Sequence, residues 1–217
     1  MDLSNYYQIL QTLEPYHAQL IAVSKNQPLE AIKSLYQAGQ RKFAENRVQL
    51  LLERKERLPS DIEWHLIGNL QKNKVKKIVA WVHMIHSVDS FDLAVSIHKA
   101  AADHNRIIPI LLEIKISSEP AKHGFEINKL LDSLKTDPWE SLNRIQICGL
   151  MGMATFTDDT NQIHKEFKNL KLNFESIKKA FPQFTAFNEL SMGMSSDYTI
   201  ALEEGSTMVR IGSKLFS

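Results

Sequence analysis

Apolar and polar positions follow two rhythms along the chain. Short apolar runs rich in β-branched residues are each followed by a longer stretch with helical spacing. The runs predict strands over 20–25, 42–45, 63–67, 84–88, 109–116, 145–151, 186–191 and 208–211. The longer stretches predict helices over 29–38, 47–57, 73–79, 90–105, 127–134, 160–180 and 198–204, with one more near 3–17. Pro28 reads as a first-turn residue, and Gly39 as a helix stop. Strict alternation of strand and helix argues for a parallel sheet. Eight such units in 217 residues fit the compact end of an α/β class, single-domain (β/α)8 TIM barrel, here with an extra N-terminal helix. An open doubly wound sheet is the alternative, weakened because no Gly-rich loop follows the first strand.

Composition narrows the function without naming it. Hydrophobic residues make up 43% and charged residues 24%, the balance of an ordinary globular protein. With 26 basic and 25 acidic residues the formal net charge is +1, so nothing steers the chain toward nucleic acid or an anionic membrane. No apolar stretch approaches the roughly 20 residues that span a bilayer, and the first ten residues, MDLSNYYQIL, lack the basic start of a signal peptide. A lone cysteine, Cys148, allows no internal disulfide and fits a reducing compartment. A cytoplasmic protein is expected.

Candidate chemistry gathers at predicted strand ends. Strand alternation puts Ile21, Val23 and Lys25 on one face, so Lys25 would close a buried strand at the barrel end where active sites collect. A partly desolvated lysine can attack an aldehyde; a solvated lysine past the strand end is the plain alternative. Ser191, Gly193, Ser195 and Ser196 follow the seventh strand, and Arg210, Gly212 and Ser213 end the eighth. Small and hydroxyl residues in these two loops suit a phosphate, which barrels frequently bind there. Simple turns are the competing reading of both glycines.

The motifs VSK (23–25), FAEN (43–46), WHLIGNLQKNK (64–74), HSVD (86–89), KHGF (122–125), GLMGMA (149–154), LSMGMSSDY (190–198) and EEGSTMVRIG (203–212) occur in that order. With them the chain resembles the YggS/PROSC family of pyridoxal phosphate-binding proteins, from about residue 19 to 216. The resemblance implies a barrel similar to the N-terminal domain of alanine racemase, and a role in vitamin B6 homeostasis. It implies that Lys25 carries pyridoxal 5'-phosphate as a Schiff base and that Asn46 lies near the cofactor. It implies further that Ser191 and Ser195 line the phosphate region, that Arg210 and Gly212 face the ring and phosphate, and that Ser213 stands beside them. His65 falls in the WHxIG motif at the third strand end. Met151 and Met192 look like apolar pocket walls, with core filling an equal reading. Two departures stand out: Ala44 replaces the family's usual glycine, which would alter a turn after the second strand, and Ser217 replaces a terminal glycine.

The same resemblance implies holding rather than turnover. Racemases take a second base, a tyrosine, from an additional domain, and no residues follow the eighth strand here to build one. A guanidinium beside the ring disfavours a protonated pyridine nitrogen and weakens carbanion chemistry. A noncatalytic carrier, monomeric and with pyridoxal phosphate-dependent apoenzymes as candidate recipients, is therefore expected. A racemase-like enzyme is the alternative, and a barrel for another phosphorylated metabolite a third.

Other signals are read as structural. The run Lys72-Asn73-Lys74-Val75-Lys76-Lys77 reads as a solvated helix face. His83 and His86, three apart at a strand start, fall on opposite faces, and no histidine set has metal-ligand spacing. Cys148 reads as buried and inert.

Overall fold

A computed structural model describes residues 2–117 and 123–216; Met1, Ser217 and the start of the KHGF motif, including Lys122, lie outside them. Helix α1 (Ser4–Leu13) and a short 3-10 turn lead into eight strands. These are β1 (Gln19–Val23), β2 (Lys42–Glu45), β3 (Glu63–Leu66), β4 (Met84–Val88), β5 (Ile108–Ile114), β6 (Ile145–Gly152), β7 (Glu189–Ser191) and β8 (Met208–Ile211). Each pairs in parallel with its sequence neighbour, and β1 pairs with β8, so the sheet closes into a barrel. The connecting helices are α2 (Leu29–Gln37), α3 (Val48–Arg57), α4 (Phe91–Ala102), α5 (Ile127–Thr136), α6 (Thr160–Ala180) and α7 (Tyr198–Glu203), and a one-turn α8 (Ser213–Phe216) follows β8. The expected fold class is what the chain adopts.

Local chemistry explains most boundaries. Ser90 caps α4 by accepting the Leu93 N–H, and Asp159 caps α6 by accepting those of Asn161 and Gln162. Gly39, at φ +105°, ends α2: its N–H reaches Tyr36 O and that of Gln40 reaches Leu35 O. Pro28 sits at the cap, one residue before the helix.

Three expected elements differ. The helix expected over 73–79 is a 3-10 helix over Lys72–Lys77, with only Val75 buried inside it. So short an apolar stripe cannot repay α-helix nucleation. The strand expected over 186–191 begins at Glu189, because the chain is still turning through Phe187 N–H to Phe184 O. The strand expected over 20–25 ends at Val23.

Two apolar layers form. The larger packs the outer strand faces against the helices and includes Leu20, Phe43, Leu66, Ile85, Leu112, Phe167 and Met192. The smaller fills the lumen with Ile21, Ala44, Met84, Leu111, Cys148, Met151 and Met208. A register shift between β5 and β6 pairs Leu111 with Gly149, and this one-residue slip lets Cys148 and Met151 both face inward. Ala44 lies inside β2, paired with Val23 and His65, so no turn depends on it.

Candidate functional site

Three loops meet at the C-terminal rim. The first follows β1. Ser24 N–H bonds to Ala44 O at 3.0 Å, and its hydroxyl donates to Glu45 Oε1 at 2.7 Å. Glu45 is fully buried, and burial raises its carboxyl above the usual range against the pull of Ser24 and Arg54. Arg54 Nε lies 3.5 Å from the same oxygen, while its Nη2 donates to Gln27 O at 2.5 Å. Ser24 and Gln27 are thus tied to β2 and α3 on either side of Lys25. Lys25 itself stands exposed in the turn, ahead of Asn26 at φ +63°. The expected buried lysine on the strand is therefore corrected: the left-handed turn lifts it off the sheet onto the rim.

The other two loops follow β7 and β8. Gly193, at φ +93°, has no room for a side chain: a Cβ there would lie 2.6 Å from Ala201 Cβ. Ser195 Oγ accepts the N–H of Gly212 at 3.3 Å and of Lys214 at 3.4 Å. Ser195, Ser196, Ser213 and Lys214 line an open depression. Lys214 Nζ reaches Tyr198 Oη at 3.3 Å and lies over its ring. Gly212 abuts β1, since a Cβ there would lie 3.2 Å from Val23 O. The loop bearing Lys25 is thereby adjacent to the eighth-strand loop. Asn46 sits half-buried just past β2, and its Oδ1 is buried without a hydrogen-bond partner.

Beneath the rim a polar chain crosses the lumen. Arg210 Nη1 donates to Ser191 Oγ at 2.6 Å, and Nη2 to Gly152 O at 3.0 Å. Ser191 Oγ is 3.0 Å from His86 Nδ1, and His86 Nε2 is 2.8 Å from His65 Nδ1. All four side chains are buried. Arg210 can only donate, so Ser191 accepts there; its own hydrogen can point to His86 or away from it. The chain of bonds can accordingly run in either sense. Burial holds both imidazoles well below their usual range, hence neutral at pH 7. Burial brings Arg210 down to about 10, against the charges of Asp197 and Glu113, so it stays cationic. Glu113, buried on β5, is raised to about 7 by burial and by Asp89, against Arg210.

Of the residues singled out in sequence, Ser191 and Arg210 touch in the lumen, while Ser195, Gly212 and Ser213 share the rim depression or its edge. His65 is in the lumen and reaches Ser191 only through His86. Met151 belongs to the lumen cluster, whereas Met192 is buried in the outer core. Sequence reasoning missed His86, Glu113, Glu45 and Arg54. For His86 a signal existed, since strand alternation in MIHSV puts Met84 and His86 on one face. The reading of His83 and His86 as separated by opposite faces is corrected. The bend entering β4 brings His83 within 5.2 Å of the His65 ring, which lies 5.1 Å from His86 on another side. Cys148 is buried, and burial pushes its thiol up to about 11. A further hollow lies at the other end of the barrel, where Trp139, Asn143, Gln146, Phe184 and Thr185 line the entries to β6 and β7.

Known proteins match this architecture along its length. The family model described as alanine racemase, N-terminal domain, matches residues 3–217. The pyridoxal phosphate homeostasis protein of Synechocystis sp. is 37% identical over 215 residues, which are 98% of this chain and 96% of that one. PipY of Synechococcus elongatus, solved without pyridoxal phosphate, superposes with a TM-score of 0.93 at 36% identity. Its structure with pyridoxal phosphate bound superposes at 0.89 and 35% identity; both cover 100% of either chain.

Proposed function

The chain belongs to the alanine racemase N-terminal domain family and, within it, to the pyridoxal phosphate homeostasis proteins, and from that membership we propose that it binds pyridoxal 5'-phosphate at the C-terminal rim to serve vitamin B6 homeostasis. One observation carries this reading. Two backbone amides, of Gly212 and Lys214, converge on Ser195 Oγ beside an open depression, as they would on a phosphate oxygen. The unpartnered Oδ1 of Asn46 adds a polar group at the same rim. The residues present fit the cofactor.

In this reading Ser195, Gly212 and Ser213 hold the phosphate, and Lys25 is the covalent attachment point. Ser191, Arg210 and Asn46 surround the ring, with His65 supporting Ser191 through His86. The cofactor supplies an aldehyde that condenses reversibly with amines. Exposure of Lys25 on a tethered loop suits such exchange. Arg210 is fixed by Ser191 and Gly152 and remains cationic, so it opposes a second positive charge on the ring and with it carbanion chemistry. We therefore read the protein as a noncatalytic, monomeric carrier whose recipients are apoenzymes that use the cofactor. Among the described residues, no helix is long and apolar enough to cross a membrane.

The test is spectroscopic. Protein incubated with pyridoxal phosphate gains a visible absorption band, and borohydride followed by mass spectrometry finds the adduct on Lys25. Lys25→Ala abolishes both; persistence of the band in that variant overturns the assignment. Chiral analysis of amino acids after long incubation shows no turnover above background, and robust racemization would replace the carrier reading.

A further inference from the structure

The opposite mouth of the barrel carries its own constellation. Glu63 opens β3, His65 lies two residues further along the same inward face, and His83 stands at the entry to β4. One ligand atom from each falls within 4.8 Å of the others. We propose that Glu63, His65 and His83 bind a divalent transition-metal ion, of which zinc is the type, at the N-terminal mouth.

Three features point to a ligand rather than to a chance cluster. First, His65 is 1% exposed, yet its Nε2 is buried with no hydrogen-bond partner. A buried ring nitrogen left bare is costly unless something binds it. Second, the other ring nitrogen of His65 lies 2.8 Å from His86 Nε2, which as acceptor fixes the ring in the place a carboxylate or carbonyl takes beside a metal-binding imidazole. Third, two imidazoles and one carboxylate form a donor set that suits zinc and leaves its fourth position open. Burial keeps His65 neutral, as a ligand must be.

The remaining geometry is within reach. Zinc bonds of about 2.0–2.1 Å need donors closer together than they now stand. His65 is fixed, but the Glu63 and His83 side chains are 37% and 45% exposed and already lie 3.5 Å apart, so they can close on it. The neighbouring cation is Lys42, whose Nζ lies 4.0 Å from Glu63 Oε2 and is hydrogen-bonded to Gln19 Oε1. A metal ion would displace Lys42 from the carboxylate. Burial lowers the basicity of His83, Glu63 raises it, and Lys42 and Arg106 nearby lower it.

The experiment titrates the full-length, cofactor-free chain with zinc alone, read by competition with a chromogenic chelator. Cobalt(II) in a parallel series reports four-coordinate geometry through its visible bands. One equivalent binds. His83→Ala and Glu63→Gln each weaken binding by more than about tenfold, the low end of what losing even an outer contact costs a metal site, and remove the cobalt bands. Lys42→Met tightens binding, and His104→Ala, an exposed residue elsewhere, changes nothing. Both ligand positions are at the surface, so the variants fold. Zinc binding unchanged in His83→Ala and Glu63→Gln, or absent from the wild-type chain, overturns the proposal. The cofactor reading shares only His65 with this site, reached there through His86, and is tested separately by the adduct on Lys25.

Discussion

Glu113 shows how one buried side chain writes a pH dependence into the fold. Its folded pKa of about 7 lies above the ordinary value of 4.5, so between those limits the folded state holds the extra proton. Stability contributed by this group is present below pH 4.5 and is lost as pH rises to about 7. The loss is about 3 kcal/mol, from 1.36 kcal/mol per pKa unit. His65 and His86 act with the opposite sign: their depressed values cost stability as pH falls below about 6.5. A wild-type profile alone therefore mixes the two. Glu113→Gln removes the carboxyl contribution only, so urea unfolding at pH 5 and pH 8 should find the variant gaining on wild type at the higher pH. An equal gap at both values would mean that Glu113 is ionised in the fold throughout. At this scale the sequence was legible where a motif marked the residue, as for Ser191 and Arg210. It was silent where a contact depends on the rise of a side chain within the lumen: strand order sets β3 beside β4, but nothing in the spacing of residues 65, 83 and 86 says which rings meet.

Among the elements, the loop after β1 is the one whose behaviour function depends on most. Ser24, Glu45, Arg54 and the Gln27 carbonyl fasten it to β2 and α3, and Lys25 rides between those ties. Arg54→Ala cuts the tie at Gln27 and leaves Glu45, already short of a partner at Oε2, without its counter-charge. An uncompensated buried carboxylate is expensive, on the order of 3 kcal/mol when one partner of a buried pair is removed. The variant should lose about that much in chemical denaturation and release pyridoxal phosphate faster in stopped-flow absorbance. Wild-type release rates would show that the loop needs no fastening. Strand and helix periodicity predicted nearly every element, because each buries one face or one stripe. It missed those whose ends are set by turns: Lys25 leaves its strand because Asn26 takes the left-handed region, and the lysine-rich run after β3 carries too few apolar residues for α-helix.

For the molecule as a whole, regular alternation made the barrel legible, since eight parallel strands with intervening helices have few ways to close. Its two ends were not equally legible, for a mouth is assembled from residues far apart in sequence. The seams around the barrel also differ. β5 and β6 run together from Ile108–Ile145 to Ile114–Gly152, whereas β7 has three residues and meets β8 in register only at Ser191 and Met208. Hydrogen exchange should rank accordingly, with amides of β5 and β6 protected longest and those of β7 and β8 exchanging sooner. Uniform protection around the ring would contradict this. The shortest seam lies directly under the two loops that would grip the phosphate, so a ligand bridging them would act as a clasp on the zip. Occupancy would then be written into how long each copy survives a protease: the empty carrier would be clipped first, and the cell's store of vitamin would protect its own container.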